Sequence, residues 1–458
     1  MSANSSEFIQ KSTVRAFDRD HRKKINFNIS RYNALVPVGK QQFTDVNVAR
    51  ERAKNIKWRA IESLGKQLEE FERNITRRGA KVLWAETAEG ALKEILKICH
   101  AKNCSAIVKS KSMVTEELRL NEFLEKNKIE SVETDLGEYI QQLDNEPPYH
   151  IVTPAMHKSK EDIAKLFAEK FGTRTTLSPE QLTQVARQRL REKYKQAEIG
   201  ITGANFLISD IGAIAITENE GNGRLSCSFP KTHIVIAGIE KVIPTLTDLA
   251  LFWPLLATYG TGQKITVYNS IITGPKQKNE TDGPEEMYII LLDNGRTNLL
   301  ANEKARESLY CIRCGACLNA CPVYKNIGGH TYNTAYSGPI GSVITPHLRE
   351  MSEWKHLSYA STLCGNCTEV CAVKINLHGL LLENRYEAVE KVSSSLTEKM
   401  AWKFWKKSML SRKMMNIASG KTKSLVVNAF VKNWKKHRGE INFPSKSFNE
   451  LWKERNRK

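Results

Sequence analysis

Residues 311–322 read CIRCGACLNACP, and residues 361–372 read STLCGNCTEVCA. The first stretch places cysteines at 311, 314, 317 and 321 and follows them with Pro322; the second has cysteines only at 364, 367 and 371. Three thiolates spaced three residues apart wrap one corner of an iron–sulfur cube, and the fourth, redirected by the proline, points to a second cluster. A zinc site asks for four ligands in a tetrahedron, usually as two separated pairs. Inert core thiols would require seven cysteines to fall into this register by chance. The spacing therefore predicts a mainly helical, ferredoxin-like domain with two iron–sulfur clusters.

Crossed ligation, the rule for two-cluster ferredoxins, divides the ligands unevenly. Cluster 1 takes Cys311, Cys314, Cys317 and Cys371; cluster 2 takes Cys321, Cys364 and Cys367. Aligning the two stretches on Cys321 and Cys371 puts Ser361 where the first cysteine should be and Ala372 where the proline should be. Both clusters are expected to be [4Fe–4S]. The alternatives for cluster 2 are a [3Fe–4S] centre or a non-cysteine ligand, with Ser361 as a weak one. His330, His347 and His356 are further candidates, since imidazole replaces thiolate on iron in some centres. Cys99 and Cys104 read as small core residues, and Cys227, after the glycine turn at 221–223, as a residue that could face a pocket.

Upstream of the cysteines, strands alternate with helices. The stretches 80–85, 105–111, 129–135, 149–155, 233–239 and 287–293 read as strands, and 88–102, 112–127, 159–171 and 179–197 as helices. That alternation argues for a largely parallel sheet covered by helices. The chain divides into an irregular arm (1–43), an α/β domain (44–297) that opens on a long helix over 44–78, an iron–sulfur domain (298–395) and a basic helical tail (396–458). TENEGNGR (217–224) is either a hairpin that needs glycine or a turn whose N–H groups and Arg224 hold an anion. Lys109 and Lys111 alternate at a strand end, where they are either solvated or contacts for a carboxylate or phosphate.

Composition sets the limits. With 458 residues, 41% hydrophobic and 26% charged, the chain is globular in character and long enough for two or three domains. Its first 30 residues contain no secretory-type apolar run, and the apolar stretch 249–260 is too short to span a bilayer, so a cytoplasmic location is expected. Residues 396–458 carry 17 Lys or Arg against 4 Asp or Glu, out of a total net charge of +19. The tail also holds Trp402, Trp405, Trp434 and Trp452. Amphipathic helices docking on a partner or on the globular body explain this better than peripheral contact with anionic lipid. No nucleic-acid motif accompanies the charge, so no nucleic-acid partner is expected.

The phrases VKSKSMVTEELRLNEFLE (108–125), GITGANFLISDIGAIAITENEGNGRLS (200–226) and HIVIAGIEKVIP (233–244), followed by both cysteine motifs and SGPIGSVITP (337–346), resemble the lactate-utilization family. The resemblance covers most of the chain and leaves only the tail loosely matched. It implies an N-terminal α/β domain of sugar-isomerase or CoA-transferase type. It also implies an electron-carrying role in the oxidation of L-lactate to pyruvate. The partners implied are a separate iron–sulfur oxidoreductase and a second protein with the lactate-utilization domain. No GxGxxG fingerprint or flavin site is recognisable, which favours an electron-transfer subunit over a catalytic one that binds a small carboxylate itself. A cluster-based redox sensor is the third reading, weakened by the lack of a DNA-binding module.

Overall fold

The computed structural model describes residues 2–392, 396–430 and 438–456. Two compact units result, Met1–Ala388 and Val389–Lys458. The α/β and cysteine-rich segments thus fold together, and the first unit ends seven residues before the expected tail boundary at 395.

Ten strands build the first unit: β1 Lys81–Ala85, β2 Ala106–Lys109, β3 Glu130–Glu133, β4 Ile199–Gly203, β5 Phe206–Ile208, β6 Ala213–Glu218, β7 Thr232–Gly238, β8 Val242–Ile243, β9 Tyr268–Ile272 and β10 Glu286–Leu292. Six of them form an all-parallel sheet in the order β1-β10-β7-β4-β2-β3, and the other four a mixed sheet in the order β8-β5-β6-β9. β7 reads THIVIAG and is buried at every position, as a central strand covered on both faces must be. Its register pairs Ile234 with Ile201 of β4 and with Tyr288 of β10. The helix Ala88–Ala101 crosses from β1 to β2; Thr87 caps it by accepting from the Gly90 N–H, and Ala91, Ile95, Ile98 and Cys99 face the core. Cys104 sits beside it, its thiol directed at the Ala106 carbonyl.

Several expectations are corrected. The segment 1–43 is not irregular: it forms helices Ala3–Phe17 and Arg19–Lys40, joined at Asp18, whose carboxylate caps the second helix. Both helices are polar, and the second buries only a thin stripe with Ile25 and Ile29. Docking, rather than propensity, therefore holds them. The long helix expected over 44–78 is two, Val46–Glu62 and Leu64–Thr76. The helix over 112–127 is likewise broken, at Arg119 with φ 53°. Residues 149–155 form no strand. They turn back on themselves, with the Tyr149 N–H donating to the Pro154 carbonyl and the His150 ring accepting from the Val152 N–H. Nor is 217–224 a hairpin: Gly221, at φ 79°, starts the short helix Asn222–Ser228.

In the second unit, helices Leu396–Met409, Gly420–Phe430 and Phe448–Arg455 leave large apolar side chains in solvent. Trp402, Phe404, Trp405 and Trp452 are all about half exposed or more. Trp434 lies outside the described residues. No helix among the described residues is long and apolar enough to cross a membrane.

Candidate iron–sulfur centres and the adjoining cavity

The two cysteine loops are copies of one backbone. Arg313 and Leu363 occupy equivalent positions with φ 62° and 54°, and Gly315 and Gly365 both have φ 80°. A short helix follows each, Ala316–Ala320 and Asn366–Glu369. In the first loop the Arg313 N–H donates to the Cys311 sulfur at 3.4 Å; in the second the Leu363 N–H donates to the Ser361 hydroxyl oxygen at 3.0 Å. Ser361 thus holds the place of Cys311 in the repeat, with an oxygen where the first loop has sulfur.

The loops interleave. Cys311, Cys314, Cys317 and Cys371 line a single small cavity whose other walls include Ile151, Ile340, Val373 and Leu377. Burial, then repulsion from Cys371, pushes the Cys314 thiol up to about 12; burial, partly offset by the Ile375 N–H, pushes Cys371 up to about 12. Cys321 and Cys367 are buried; burial, then repulsion from Cys321, pushes Cys367 up to about 11, and burial raises Cys321, with repulsion from Cys364 adding to it. Cys364 is exposed, and the Asn366 N–H holds its thiol below the usual range. All ten cysteines are free. Four thiols converging in an apolar pocket resist ionisation unless a cation replaces their protons, which is the donor chemistry of an iron–sulfur site. The residues present fit the group.

Basic side chains surround the first set, although burial lowers the Lys57 ammonium to about 7. Arg50, from the helix Val46–Glu62, donates from Nε to the Cys371 carbonyl at 3.0 Å and from Nη2 to the Glu369 carbonyl at 2.7 Å. Lys57, on the same helix, donates to the carbonyls of Glu240 and Val242. Glu240 binds Arg296 at 2.6 Å and Arg313 at 3.4 Å; Arg296 also binds Glu117, which accepts from the Tyr336 hydroxyl. This buried chain ties the loops after β7 and β10 to the first cysteine loop. Sequence reasoning missed Arg50, Lys57 and Arg296, because only tertiary contact makes them part of the centre. Arg313, inside the motif, was in plain view.

A larger cavity of about 830 Å³ opens at the carboxyl ends of β2, β3, β4 and β7. That is where parallel sheets bind ligands. Lys111 lines it, paired with Asp135 at 3.3 Å and bonded to the Val152 carbonyl. Lys109 does not. It is fully buried beside Glu133 at 2.7 Å and Glu116 at 3.3 Å; burial alone would lower its pKa, but these carboxylates and Glu138 raise it. It is therefore neither a solvated strand end nor a free anion contact. Arg224 is exposed, and the N–H groups of Gly223 and Arg224 donate to the chain's own Glu218, so that turn is already filled by a carboxylate. Cys227 is buried with its thiol on the Arg224 carbonyl, away from the cavity lining. The three candidate histidines have other partners: His330 the Pro147 carbonyl, His347 Asn384 and His356 the Glu353 carbonyl. Cys314, Arg313, Tyr336 and Lys241 line the large cavity on the side of the first cysteine set.

Comparison with known proteins matches residues 68–292 to the LUD domain and residues 307–375 to the 4Fe-4S dicluster domain. Lactate utilization protein B of Bacillus velezensis is 47% identical over 356 residues, covering 77% of this chain and 75% of that protein. The protein of the same description from Bacillus subtilis is also 47% identical, covering 77% and 74%. That from Bacillus cytotoxicus is 43% identical over 419 residues, covering 88% of each chain. A solved DUF162 family protein from Deinococcus radiodurans aligns with 50% of this chain at 15% identity and TM-score 0.30. The dicluster match gives the chain two iron–sulfur clusters. With a LUD domain, a dicluster domain and relatives this similar over 74% or more of their length, the chain belongs to the lactate utilization protein B family.

Proposed function

We propose that the protein is the iron–sulfur electron-transfer component of a system that oxidises L-lactate to pyruvate, working in the cytoplasm with a separate iron–sulfur oxidoreductase and a second LUD-domain protein. The observation that carries this reading is the contrast between the two cysteine sets. Cys311, Cys314, Cys317 and Cys371 converge in an enclosed pocket, whereas Cys364 of the other set is exposed. Cys317 and Cys321, assigned to different clusters, flank one turn of helix, and Asn366 bonds the Ala320 carbonyl across the two loops. An inner and an outer centre joined this closely suit a conduit that ends at a partner surface.

Bound clusters supply one-electron transfer. The chain's own residues donate N–H groups to sulfur and place Arg50 beside the inner set, which favours the reduced, more negative state there, while burial of the set acts in the opposite direction. Ser361 stands as the fourth, oxygen-bearing position of the outer set. The exposed tryptophans and positive charge of the tail support docking on a partner or an anionic lipid surface.

The large cavity beside Cys314 favours one further reading, a subunit that binds the small acid itself. Reconstitution separates the two. Under the conduit reading, lactate reduces the clusters only when the partners are present, and Cys314→Ala stops the electron flow. Lactate turnover by this chain alone with an artificial acceptor would favour the catalytic reading.

A further inference from the structure

Residues 144–158 and the loop behind the first cysteine motif meet at a cluster of side chains that neither cysteine set uses. One ligand atom each from Glu146, His157 and His330 lie within 4.8 Å of one another, and all three residues are partly buried. Three donors on one tetrahedral zinc ion stand about 3.4 Å apart, so small side-chain movements close this set on an ion.

The chain is built to make the three meet. His330 arrives through Gly328 and Gly329, which pass tightly against Tyr149. A Cβ on Gly328 would fall 1.7 Å from the Tyr149 hydroxyl, and one on Gly329 would fall 1.8 Å from the Tyr149 carbonyl oxygen. Gly328 also takes φ 73°, which disfavours any side chain there. Tyr149 is buried, and its hydroxyl bonds His21 Nε2 at 3.1 Å. Its ring stacks on His157 at 4.5 Å and meets His330 edge-on at 5.0 Å. The two imidazoles are thereby held face to edge, 4.9 Å between centres.

The hydrogen bonds leave donor atoms for an ion. His330 Nε2 lies 2.7 Å from the Pro147 carbonyl oxygen, which only accepts, so Nε2 carries the proton and Nδ1 the lone pair. A ring N–H anchored on a main-chain carbonyl is the usual outer contact of a metal-bound histidine. His157 Nε2 lies 3.0 Å from Glu146 Oε2, while its Nδ1 is buried with no hydrogen-bond partner among the described residues. Lys158 also reaches Glu146, at 2.9 Å, but has a second carboxylate in Asp144 to retain when an ion takes Glu146.

We infer that Glu146, His157 and His330 form a site for a divalent transition metal of the zinc class. Two imidazoles and a carboxylate without a thiolate suit such an ion, and three protein ligands leave its fourth position to water. The ion clips residues 146–157 to the loop at 328–330, and so steadies the turn that carries Ile151, a wall of the inner cysteine pocket. The site is separate from both clusters and independent of what the protein oxidises.

The test adds zinc chloride to the full-length protein, purified anaerobically with both clusters, and removes loosely held ion by gel filtration. Zinc and iron per chain are then measured by mass spectrometry, and the zinc neighbours by X-ray absorption. One zinc per chain should remain, with nitrogen and oxygen neighbours only, and hydrogen exchange should slow in the peptides spanning 144–158 and 326–332. Losing an outer partner alone weakens metal sites roughly ten- to a hundredfold. His330→Gln, which removes a ligand, should therefore weaken zinc binding at least about a hundredfold, and Glu146→Gln, which keeps the shape but removes the charge, about ten- to a hundredfold. Iron content and cluster EPR signals should match the parent in both variants. The proposal is overturned if no zinc is retained, if sulfur neighbours appear around the zinc, or if either variant binds zinc as tightly as the parent. Lactate-dependent cluster reduction is measured separately, so failure of this site and failure of the conduit are distinguishable.

Discussion

Arg50 is the clearest link between the N-terminal helices and the inner cluster, and replacing it with methionine should loosen the second cysteine loop. The side chain is 9% exposed and donates to two main-chain carbonyls, Cys371 at 3.0 Å and Glu369 at 2.7 Å. Hydrogen bonds from a charged donor contribute about 1.5–3 kcal/mol each. Methionine preserves much of the volume but leaves both carbonyls without that donor. Leaving a buried carbonyl without its donor costs about 1–3 kcal/mol. A combined loss of about 3 kcal/mol over the two carbonyls raises local opening of residues 369–375 by roughly a hundredfold. Hydrogen exchange read by mass spectrometry should show faster exchange in the peptide containing Cys371, Ala372 and Val373. Iron per chain should fall, with the inner cluster lost first. Arg50→Lys, which supplies a single point donor in place of a planar fork, should fall between. Unchanged exchange in that peptide, with full iron content in Arg50→Met, would refute the view that this helix holds the loop.

Three further outcomes follow from the same geometry. Cys371→Ala should remove the cluster held by Cys311, Cys314 and Cys317 and spare the other; loss of only the outer cluster's EPR signal would break the crossed assignment. Ser361→Cys should slow the loss of the outer cluster in air, because it restores a thiolate at the position equivalent to Cys311, whereas identical decay in parent and variant would remove Ser361 from the site. Ending the chain at Ala388 should leave both clusters intact, since that unit is compact on its own, but should abolish co-purification with partners or anionic vesicles. Undiminished association would take the tail out of the account.

Much of this molecule is legible in its sequence, and the exceptions have a common cause. Strands such as β7 announce themselves as apolar runs, and the helix Ala88–Ala101 by its periodicity. The cysteines carry their own spacing, and the place of Ser361 follows from aligning two twelve-residue stretches. What fails to show is whatever depends on distant contact. The helices of residues 3–40 bury little more than the thin stripe of Ile25 and Ile29, and the turn at 149–155 has the composition of a strand but is shaped by His150 and Pro154. The charged residues divide in the same way. Lys109 looks like a strand-end contact until Glu116 and Glu133 are seen to enclose it. Lys241 attracts no notice in GIEKVIP, although the chain turns there at the end of β7 and delivers it to the cavity wall. A charged residue's role depends on its neighbours in space, which local pattern does not encode.

The most direct test of the conduit mixes the anaerobic protein with its two partner proteins and L-lactate and follows cluster reduction by EPR and visible absorbance. Lactate should reduce neither cluster with this chain alone and both once the partners are added, and Cys314→Ala should pass no electrons onward. Sustained lactate oxidation by the isolated chain, or partner-driven turnover that persists in Cys314→Ala, would contradict it.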